Sequence, residues 1–249
     1  MKRVDLYVYG RSRVSGKWWI DENRIVNRIY FVNSGWAKIR TSFGEYILTE
    51  GNVYVIPQCR DYSVIDSESF DHTYFDFYSS RPLMPGELIE IDAKKLSLKG
   101  LFDYINNIIE RDQTKTSKEG MEDMIAAFLF FAEKTDGCVK YVTNARITRA
   151  VDIIQREYRT ITTKQLAKTL SLNESYFIRQ FTSVMGISPM KYIRAYKVSR
   201  GEIMIENGMS ISEASEACGY SSPSAFYKAV VTEYGKTPTE IKKSRKEIF

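Results

Sequence analysis

The first half of the chain alternates short runs of aromatic and β-branched residues with turn residues, which is the pattern of β-strands. From residue 4 to about residue 92, this pattern predicts strands at Arg28–Asn33, Trp36–Thr41, Glu45–Leu48, Asn52–Ile56, Tyr62–Ile65 and Thr73–Tyr78. Turn residues lie at Gly35, Phe43-Gly44 and Glu50-Gly51-Asn52. This close spacing, with no helical pattern between the strands, predicts a β-barrel or sandwich.

After residue 100 the apolar residues recur three and four positions apart, which is the period of a helix face. They form two runs: Leu101, Tyr104, Ile105, Ile108 and Ile109, then Met121, Ile125, Phe128, Leu129 and Ala132. This pattern predicts a helical hairpin over about 100–133, packed on the barrel or against a second copy of the chain. Residues 134–141, which contain Asp136-Gly137, are the predicted linker.

Residues 142–249 are helical in pattern throughout and contain an internal repeat. Thr162 and Gln165 have the spacing of a capping box, and Ser210 and Glu213 repeat it 48 positions later. A short helix, a turn and a second helix follow in each copy. This order predicts two helix-turn-helix units, the element that lays its second helix in the major groove of DNA.

The second helices of the two units begin and end on matching signals. Asn173 is the predicted N-cap of the first, and Ser222, followed by Pro223, is that of the second. Both helices end at Gly and Pro, in GISP and GKTP. The offset between the copies is 49 residues here, so the turn of the second unit is predicted to be one residue longer.

These second helices are predicted to bury one face and expose the other. Phe177 and Phe181 face the core in the first unit, and Phe226 and Val230 do so in the second. The outer faces then carry the candidate DNA-binding residues Ser175, Ile178, Arg179, Thr182, Ser224, Tyr227 and Lys228. The bidentate fork of Arg179 and the point charge of Lys228 suit the O6 and N7 acceptors of guanine, although each could instead contact only phosphate.

Between the units, Met190–Asn207 is amphipathic and predicts one helix that joins them. A rigid helix would fix the spacing of the two recognition helices, so that one chain reaches two major-groove faces about 34 Å apart. A fragment from about Lys140 to Phe249 is therefore expected to fold alone and bind DNA.

Charge is distributed unevenly along the chain. Residues 1–139 hold 18 Lys/Arg and 21 Asp/Glu, whereas residues 140–249 hold 18 and 10, so the two parts carry −3 and +8. A basic surplus in one domain favours a nucleic-acid partner, although a solvated basic face has the same charge.

Other classes of protein find little support in the sequence. His72 is the single histidine, which argues against a cupin-type metal centre and against every catalytic triad that needs a histidine, so neither enzyme activity nor a cofactor is expected. Cys59, Cys138 and Cys218 lack the spacing of a disulfide framework or a zinc site. No apolar run approaches the ~18 residues of a membrane span, and no export signal is found, so a cytoplasmic protein is expected.

The stretch Ile161–Phe181 with GISP, the joining helix, SISEASEACGYSSPSAF and GKTP resembles the DNA-binding domain of the AraC/XylS family of bacterial transcription regulators. Upstream, RIYFVNSGWAKIR, EGNVYVIPQ and FDHTYFDF are similar to the cupin-like effector-binding and dimerisation domain of many members. The resemblance implies an α+β chain with a cupin-like β-barrel and helical hairpin over 1–133, a linker over 134–141, and an all-α double helix-turn-helix domain over 142–249.

The resemblance also implies partners and roles. Ser175, Ile178, Arg179, Ser224 and Lys228 occupy positions where the family contacts bases of double-stranded DNA. A transcription regulator of this kind, such as an activator, is expected to form a homodimer, to contact RNA polymerase, and to respond to a small-molecule effector such as a sugar. The alternative is a barrel that only dimerises or contacts a protein partner, with no effector.

Three positions depart from the family pattern. Ser215 stands where Ala is usual, Val230-Val231 where Phe-Lys is usual, and Asp61 where His is often found. A small residue at Ser215 should be tolerated. The loss of an aromatic core contact and of a basic residue at Val230-Val231 predicts weaker or less selective docking of the second unit on DNA.

The barrel is rich in aromatic residues, including Trp18-Trp19, Tyr30, Trp36 and Tyr74, which either fill its core or stack on a ligand. Together with nearby polar residues, they give a candidate effector site of Trp19, Arg24, Tyr30, Arg40 and Asp76.

Overall fold

The strand pattern of the N-terminal half forms one antiparallel sheet. A computed structural model describes residues 4–15, 21–22, 25–58, 62–94, 98–111, 118–135 and 138–240. Its strands are β1 (Val4–Val14), β2 (Asp21–Glu22), β3 (Asn27–Thr41), β4 (Gly44–Thr49), β5 (Asn52–Ile56), β6 (Tyr62–Ser79) and β7 (Ile89–Asp92). They run in the order β1-β6-β3-β5-β7, with β2 paired to β6 and β4 to β3. Among the described strands β1 and β7 do not pair with each other, so the predicted barrel is an open, cupin-like sheet.

Two of the strands are longer than the sequence pattern predicted. Gly35 was expected to end a strand, but β3 continues through it, and the pairing with β6 shifts register on either side of Ser34. The backbone at Gly35 has a φ of 75°, and a Cβ there would lie 2.2 Å from the carbonyl oxygen of Ser69. Only glycine fits this close approach, so the residue marks a β-bulge rather than a turn.

One face of the sheet packs against the predicted helical hairpin, α1 (Lys99–Arg111) and α2 (Lys118–Thr135). Residues from alternating strand positions and from both helices share this core, among them Ile29, Phe31, Phe75, Phe77, Phe102, Ile105, Ile125 and Phe128. Tyr30, Val32 and Ile39 belong to a second core on the opposite face. The sheet therefore separates a helix-covered side from an inner side that includes part of the candidate effector site.

The predicted linker is largely part of the first compact unit. Leaving aside residues 23–25, the chain divides into two compact units between residues 142 and 143. Within 134–141, Val139 is 2% exposed and belongs to the core beneath the hairpin. Tyr141 forms an antiparallel bridge with Leu83. The apolar side chain of Val139 explains why residues 138–141 pack on the sheet domain.

The second compact unit, which we call the helical domain, is all-helical, as predicted. Its helices are α3 (Ala145–Glu157), α4 (Thr163–Thr169), α5 (Glu174–Met185), α6 (Pro189–Glu206), α7 (Ile211–Ala217) and α8 (Pro223–Tyr234). The pairs α4–α5 and α7–α8 are the two predicted helix-turn-helix units, and α6 is the predicted joining helix. No helix among the described residues is long and apolar enough to cross a membrane.

Candidate nucleic-acid interface

Both units begin with the same capping geometry. The Thr162 hydroxyl accepts the amide of Gln165 at 3.2 Å, and the Gln165 side chain accepts the amide of Thr162 at 2.9 Å. Ser210 and Glu213 form the equivalent pair at 3.2 and 2.9 Å. Each box satisfies two amides that a helix start would otherwise leave unbonded, and both predicted boxes are confirmed.

The second helices also match the prediction. Asn173 caps α5 by accepting the amides of Ser175 and Tyr176, and Ser222 caps α8 by accepting the amide of Ala225. Both helices end at a glycine. The turns that precede them span residues 170–173 in the first unit and 218–222 in the second. The turn of the second unit is thus one residue longer.

Burial divides each second helix into two faces. Phe177, Phe181 and Phe226 are fully buried, and Val230 is 2% exposed. The Phe177 and Phe181 rings lie 5.7 Å apart, and Phe181 also contacts the Tyr192 ring of α6 at 5.8 Å. These contacts fix the rotation of α5 and α8 about their axes.

All seven candidate DNA-binding residues lie on the opposite, solvent-facing sides: Ser175, Ile178, Arg179, Thr182, Ser224, Tyr227 and Lys228. Within the described part of the chain, Arg179 and Lys228 have no ion-pair partner among the protein's own carboxylates. Tyr176, which the sequence analysis did not include, is 40% exposed beside this face. The two helices therefore present cationic donors and apolar contacts that the protein itself does not use.

The helices that precede the recognition helices differ in charge. On α4, Lys164 and Lys168 are exposed, whereas α7 exposes Glu213 and Glu216. In a helix-turn-helix the first helix crosses the phosphate backbone, where lysine attracts and glutamate repels. The exposed charges of α4 are thus of the sign that a phosphate backbone attracts, and those of α7 are of the opposite sign.

The joining helix α6 is buried on two sides, beyond the amphipathic pattern predicted. Tyr192 contacts Phe181 of the first unit, and Tyr196 contacts Tyr158 at 5.4 Å. On another side, Arg194 forms an ion pair with the buried carboxylate of Glu233 in α8. Both units therefore pack on one helix.

Comparison with known proteins agrees with this geometry. The family described as "Helix-turn-helix domain" matches residues 166–244. The probable transcriptional regulator LumQ of Photobacterium leiognathi is 32% identical over 182 residues, which cover 71% of this chain and 65% of LumQ. The Msm operon regulatory protein of Streptococcus mutans serotype c is 31% identical over 103 residues, 41% of this chain and 37% of that protein. The chain thus spans less than two thirds of these relatives.

A solved structure extends the likeness to the whole fold. ToxT from Vibrio cholerae, in a structure with bound unsaturated fatty acid, matches with a TM-score of 0.64 at 14% identity, over 97% of this chain and 95% of that one. Residues 166–244 thus form a helix-turn-helix domain of the AraC type. The relatives' names describe regulators and no enzyme, in agreement with the sequence prediction.

Two departures from the AraC pattern lie within the described structure. Ser215 is 2% exposed, and its hydroxyl donates to the Ser212 carbonyl at 2.8 Å, so the small polar side chain is satisfied where helices cross. Val230 fills the core position beside Phe226, and Val231 is 37% exposed. The second AraC unit therefore keeps a closed core with a smaller side chain. Asp61 lies outside the described residues.

The predicted effector residues are only partly brought together. Tyr30 and Asp76 are buried on the inner side of the sheet, whereas Arg40 is 60% exposed and bonds to Glu45. The reason is the bulge at Gly35, because one extra residue reverses which side chains of β3 point inward. Trp19 and Arg24 lie outside the described residues.

A residue that the sequence analysis missed occupies the same inner side. Arg28 pairs with Asp76 across the strands at 3.4 Å and is fully buried, and its guanidinium lies 4.9 Å from the centre of the Tyr62 ring. His72 is also buried here, and burial lowers its pKa to about 3, so its ring is neutral at physiological pH. Within the described residues, no cluster of His, Cys, Asp and Glu could hold a metal ion.

Proposed function

We propose that this protein is a sequence-specific transcription regulator of the AraC type that binds double-stranded DNA through both helix-turn-helix units. One observation carries the proposal. The matched helices α5 and α8 each bury one face in the core, and their outer faces present Arg179 and Lys228, which form no ion pair with carboxylates among the described residues. The basic surplus of residues 140–249 supports it. Such a regulator would act in the cytoplasm and contact RNA polymerase.

We further propose that the outer faces contact bases. Arg179 projects opposite to Phe177 and Phe181, so its fork is presented to a groove rather than to the protein core. Ser175, Ile178 and Thr182 share this face, and Ser224, Tyr227 and Lys228 form the equivalent face in the second unit. Arginine bonded to guanine discriminates by ~1–3 kcal/mol, whereas lysine gives a weaker and less directional contact.

The direct test is selection of bound sequences from a random DNA pool, using the full chain, followed by titration at several salt concentrations. The proposal predicts one enriched motif with two contacted segments about one helical turn apart, and an affinity that falls steeply with salt. Failure to enrich any motif, or an affinity independent of salt, would contradict it.

For the sheet domain we propose a small effector that carries hydroxyl groups, such as a sugar. Arg28 and Asp76 form a pair that is neutral overall on the buried inner side, next to the Tyr30 ring. A carboxylate ligand would compete with Asp76 for the guanidinium, whereas hydroxyl groups can donate to the carboxylate and accept from the guanidinium. ToxT carries a fatty acid, so an unsaturated fatty acid is the competing ligand in the test.

Thermal unfolding of the full chain with a panel of sugars and an unsaturated fatty acid separates these ligands. A bound effector raises stability as RT ln(1 + [L]/Kd), about 2.7 kcal/mol at one hundred times Kd. Tyr30→Phe should reduce the shift and the exposed Arg40→Ala should preserve it. A shift with the fatty acid alone would overturn the hydroxyl-ligand assignment, and no shift with any ligand would favour a domain that only dimerises or contacts a protein partner.

We propose that the chain forms a homodimer through the helical hairpin. Tyr104 on α1 and Phe130 and Phe131 on α2 are 60%, 43% and 57% exposed, and the rings of Phe130 and Phe131 lie 5.6 Å apart. Exposed aromatic side chains of this kind are typical of protein interfaces. Sedimentation of the full chain should show a dimer, and Phe131→Glu should give a monomer that keeps the circular-dichroism spectrum of the folded chain.

A further inference from the structure

The turns of the two helix-turn-helix units differ at one matched position. Ser171 and Gly219 are 48 residues apart, and both adopt a left-handed backbone, with φ of 55° and 73°. A Cβ at Gly219 would lie 2.1 Å from the carbonyl oxygen of Arg159 and 2.9 Å from its carbon. Arg159 directly follows Tyr158, the C-cap of α3. The second turn therefore lies against the backbone at the end of α3, where no side chain fits.

The same carbonyl oxygen binds the joining helix. The Lys197 ammonium donates to the Arg159 carbonyl at 3.0 Å and lies 5.5 Å from the centre of the Tyr220 ring. The C-terminal end of a helix carries partial negative charge, so an ammonium group is favoured there. Segments from α3, from α6 and from the second turn thus meet at one oxygen atom.

Gly201 extends this contact along α6. It lies one helical turn after Lys197, on the same side of the helix. A Cβ at Gly201 would lie 2.6 Å from the Phe226 ring, so α6 and α8 approach each other more closely than any side chain would allow. The second unit is therefore held by α6 and α3 together, and not by its connection to α6 alone.

We propose that Lys197 and Gly219 are positioning residues that hold the two units at one fixed separation, so that the chain selects DNA sites with one spacing between the two contacted segments. This inference rests on the proposed DNA-binding function, and it adds a determinant of site selection that makes no contact with DNA. We call the contacts of Lys197 and Gly219 with the backbone of Arg159 the junction. In a chain without the junction, α7 and α8 would move relative to α5, and the protein would bind sites with more than one spacing.

Two variants of the full chain test the junction, with one matched control. Gly219→Ala introduces both backbone strain and the clash with Arg159. Gly235→Ala introduces the same kind of strain, because its φ is 67°, but nothing lies within 4 Å of its Cβ. Lys197→Met keeps most of the apolar stem and removes the ammonium, so it tests the junction even if Gly219→Ala fails to fold.

The first measurement is hydrogen exchange over α7 in the absence of DNA. We expect Lys197→Met and Gly219→Ala to accelerate exchange there by about threefold or more relative to Gly235→Ala. Equal exchange in Lys197→Met and Gly235→Ala would overturn the inference whatever the protein binds.

The second measurement compares affinity for the selected site with affinity for the same site carrying one inserted base pair between its segments. We expect the insertion to weaken wild-type binding by about tenfold or more and to weaken Lys197→Met binding by clearly less, with Gly235→Ala like wild type. A wild type that tolerates the insertion overturns the fixed separation while leaving the proposed function intact. Absence of any selected site would contradict the proposed function, and hydrogen exchange would still decide whether the junction holds.

Discussion

The two helix-turn-helix units share their start signals and differ in what surrounds them. Capping boxes and glycine stops are the same in both. In the first unit Phe181 packs edge to face against Tyr192, and the helix before the recognition helix, α4, carries lysines. The second has Val230 in its core, an acidic α7, and a turn pressed against Arg159. Local signals therefore set the shape of each unit, while neighbouring residues set how firmly it docks on DNA and on the rest of the domain.

This difference suggests a division of labour. The first unit has the arginine and the lysines, so it is expected to supply most of the affinity and base discrimination. The second unit has a lysine on its outer face, but its first helix, α7, carries glutamates. We call α4 and α7, the first helices of the two units, the bracing helices. The contribution of the second unit to DNA affinity therefore depends on the position in which the joining helix holds it.

The largest effect concerns the two buried phenylalanines. Phe177→Ala and Phe226→Ala should each lower the free energy of unfolding by ~3–5 kcal/mol, because both rings are fully buried. Since both units pack on α6, a fragment from about Lys140 onward should unfold in one transition in either variant, as followed by circular dichroism. Two separate transitions would show that the units are independent and would break the comparison.

The next effect belongs to the second unit alone. Arg194→Ala leaves the buried carboxylate of Glu233 without its guanidinium and should lower stability by about 2 kcal/mol. Urea denaturation measures this change. Arg194→Lys should recover part of the loss. An unchanged denaturation midpoint for Arg194→Ala would show that the ion pair does not stabilise the packing of α8 on α6.

The capping boxes should be equivalent. Thr162→Ala and Ser210→Ala should each cost about 1 kcal/mol, because each removes the acceptor of a helix-start amide. Thermal denaturation of the two variants should give closely similar shifts, while Thr162→Ser and Ser210→Thr should restore most of the stability. A large difference between the two alanine variants would show that the repeat is not equivalent even locally.

The smallest effect is the charge of the bracing helices at matched positions. Lys168→Glu should weaken binding to all DNA sequences by about threefold and lower the salt slope by about 1, and Glu216→Lys should have the opposite effect. Titration against random DNA at several salt concentrations measures both. If Lys168→Glu strengthened DNA binding and Glu216→Lys weakened it, the roles assigned to α4 and α7 would be wrong.

The structure also shows where sequence patterns suffice. The helical domain could be predicted almost residue by residue, because a capping box such as Thr162 with Gln165 joins residues three apart in the chain. In the sheet domain the same kind of signal was misleading. Gly35 resembles a turn residue locally, and only the approach of the Ser69 backbone, far away in the sequence, makes it a bulge.

Consequences of that bulge could not be foreseen. It turned Arg40 to the surface. Arg28, which the sequence analysis had passed over, pairs with Asp76 in the regular register that precedes the bulge. The contact between Gly219 and Arg159 was equally hidden, since a glycine in a helix-turn-helix turn is explained by its left-handed backbone alone. Contacts between residues far apart in the sequence therefore cannot be predicted from sequence periodicity.

The central claim is that the outer face of α5 contacts bases, and Arg179→Ala tests it most directly. The measurement is a titration of the full chain against the selected site, the same site with one guanine replaced, and random DNA at fixed salt, with Arg179→Lys as the variant that keeps the charge and loses the fork. If Arg179 contacts a guanine, Arg179→Ala lowers affinity for the selected site by roughly tenfold or more and spares random DNA. A loss by one common factor on all three DNAs would make Arg179 a phosphate contact and would contradict the claim.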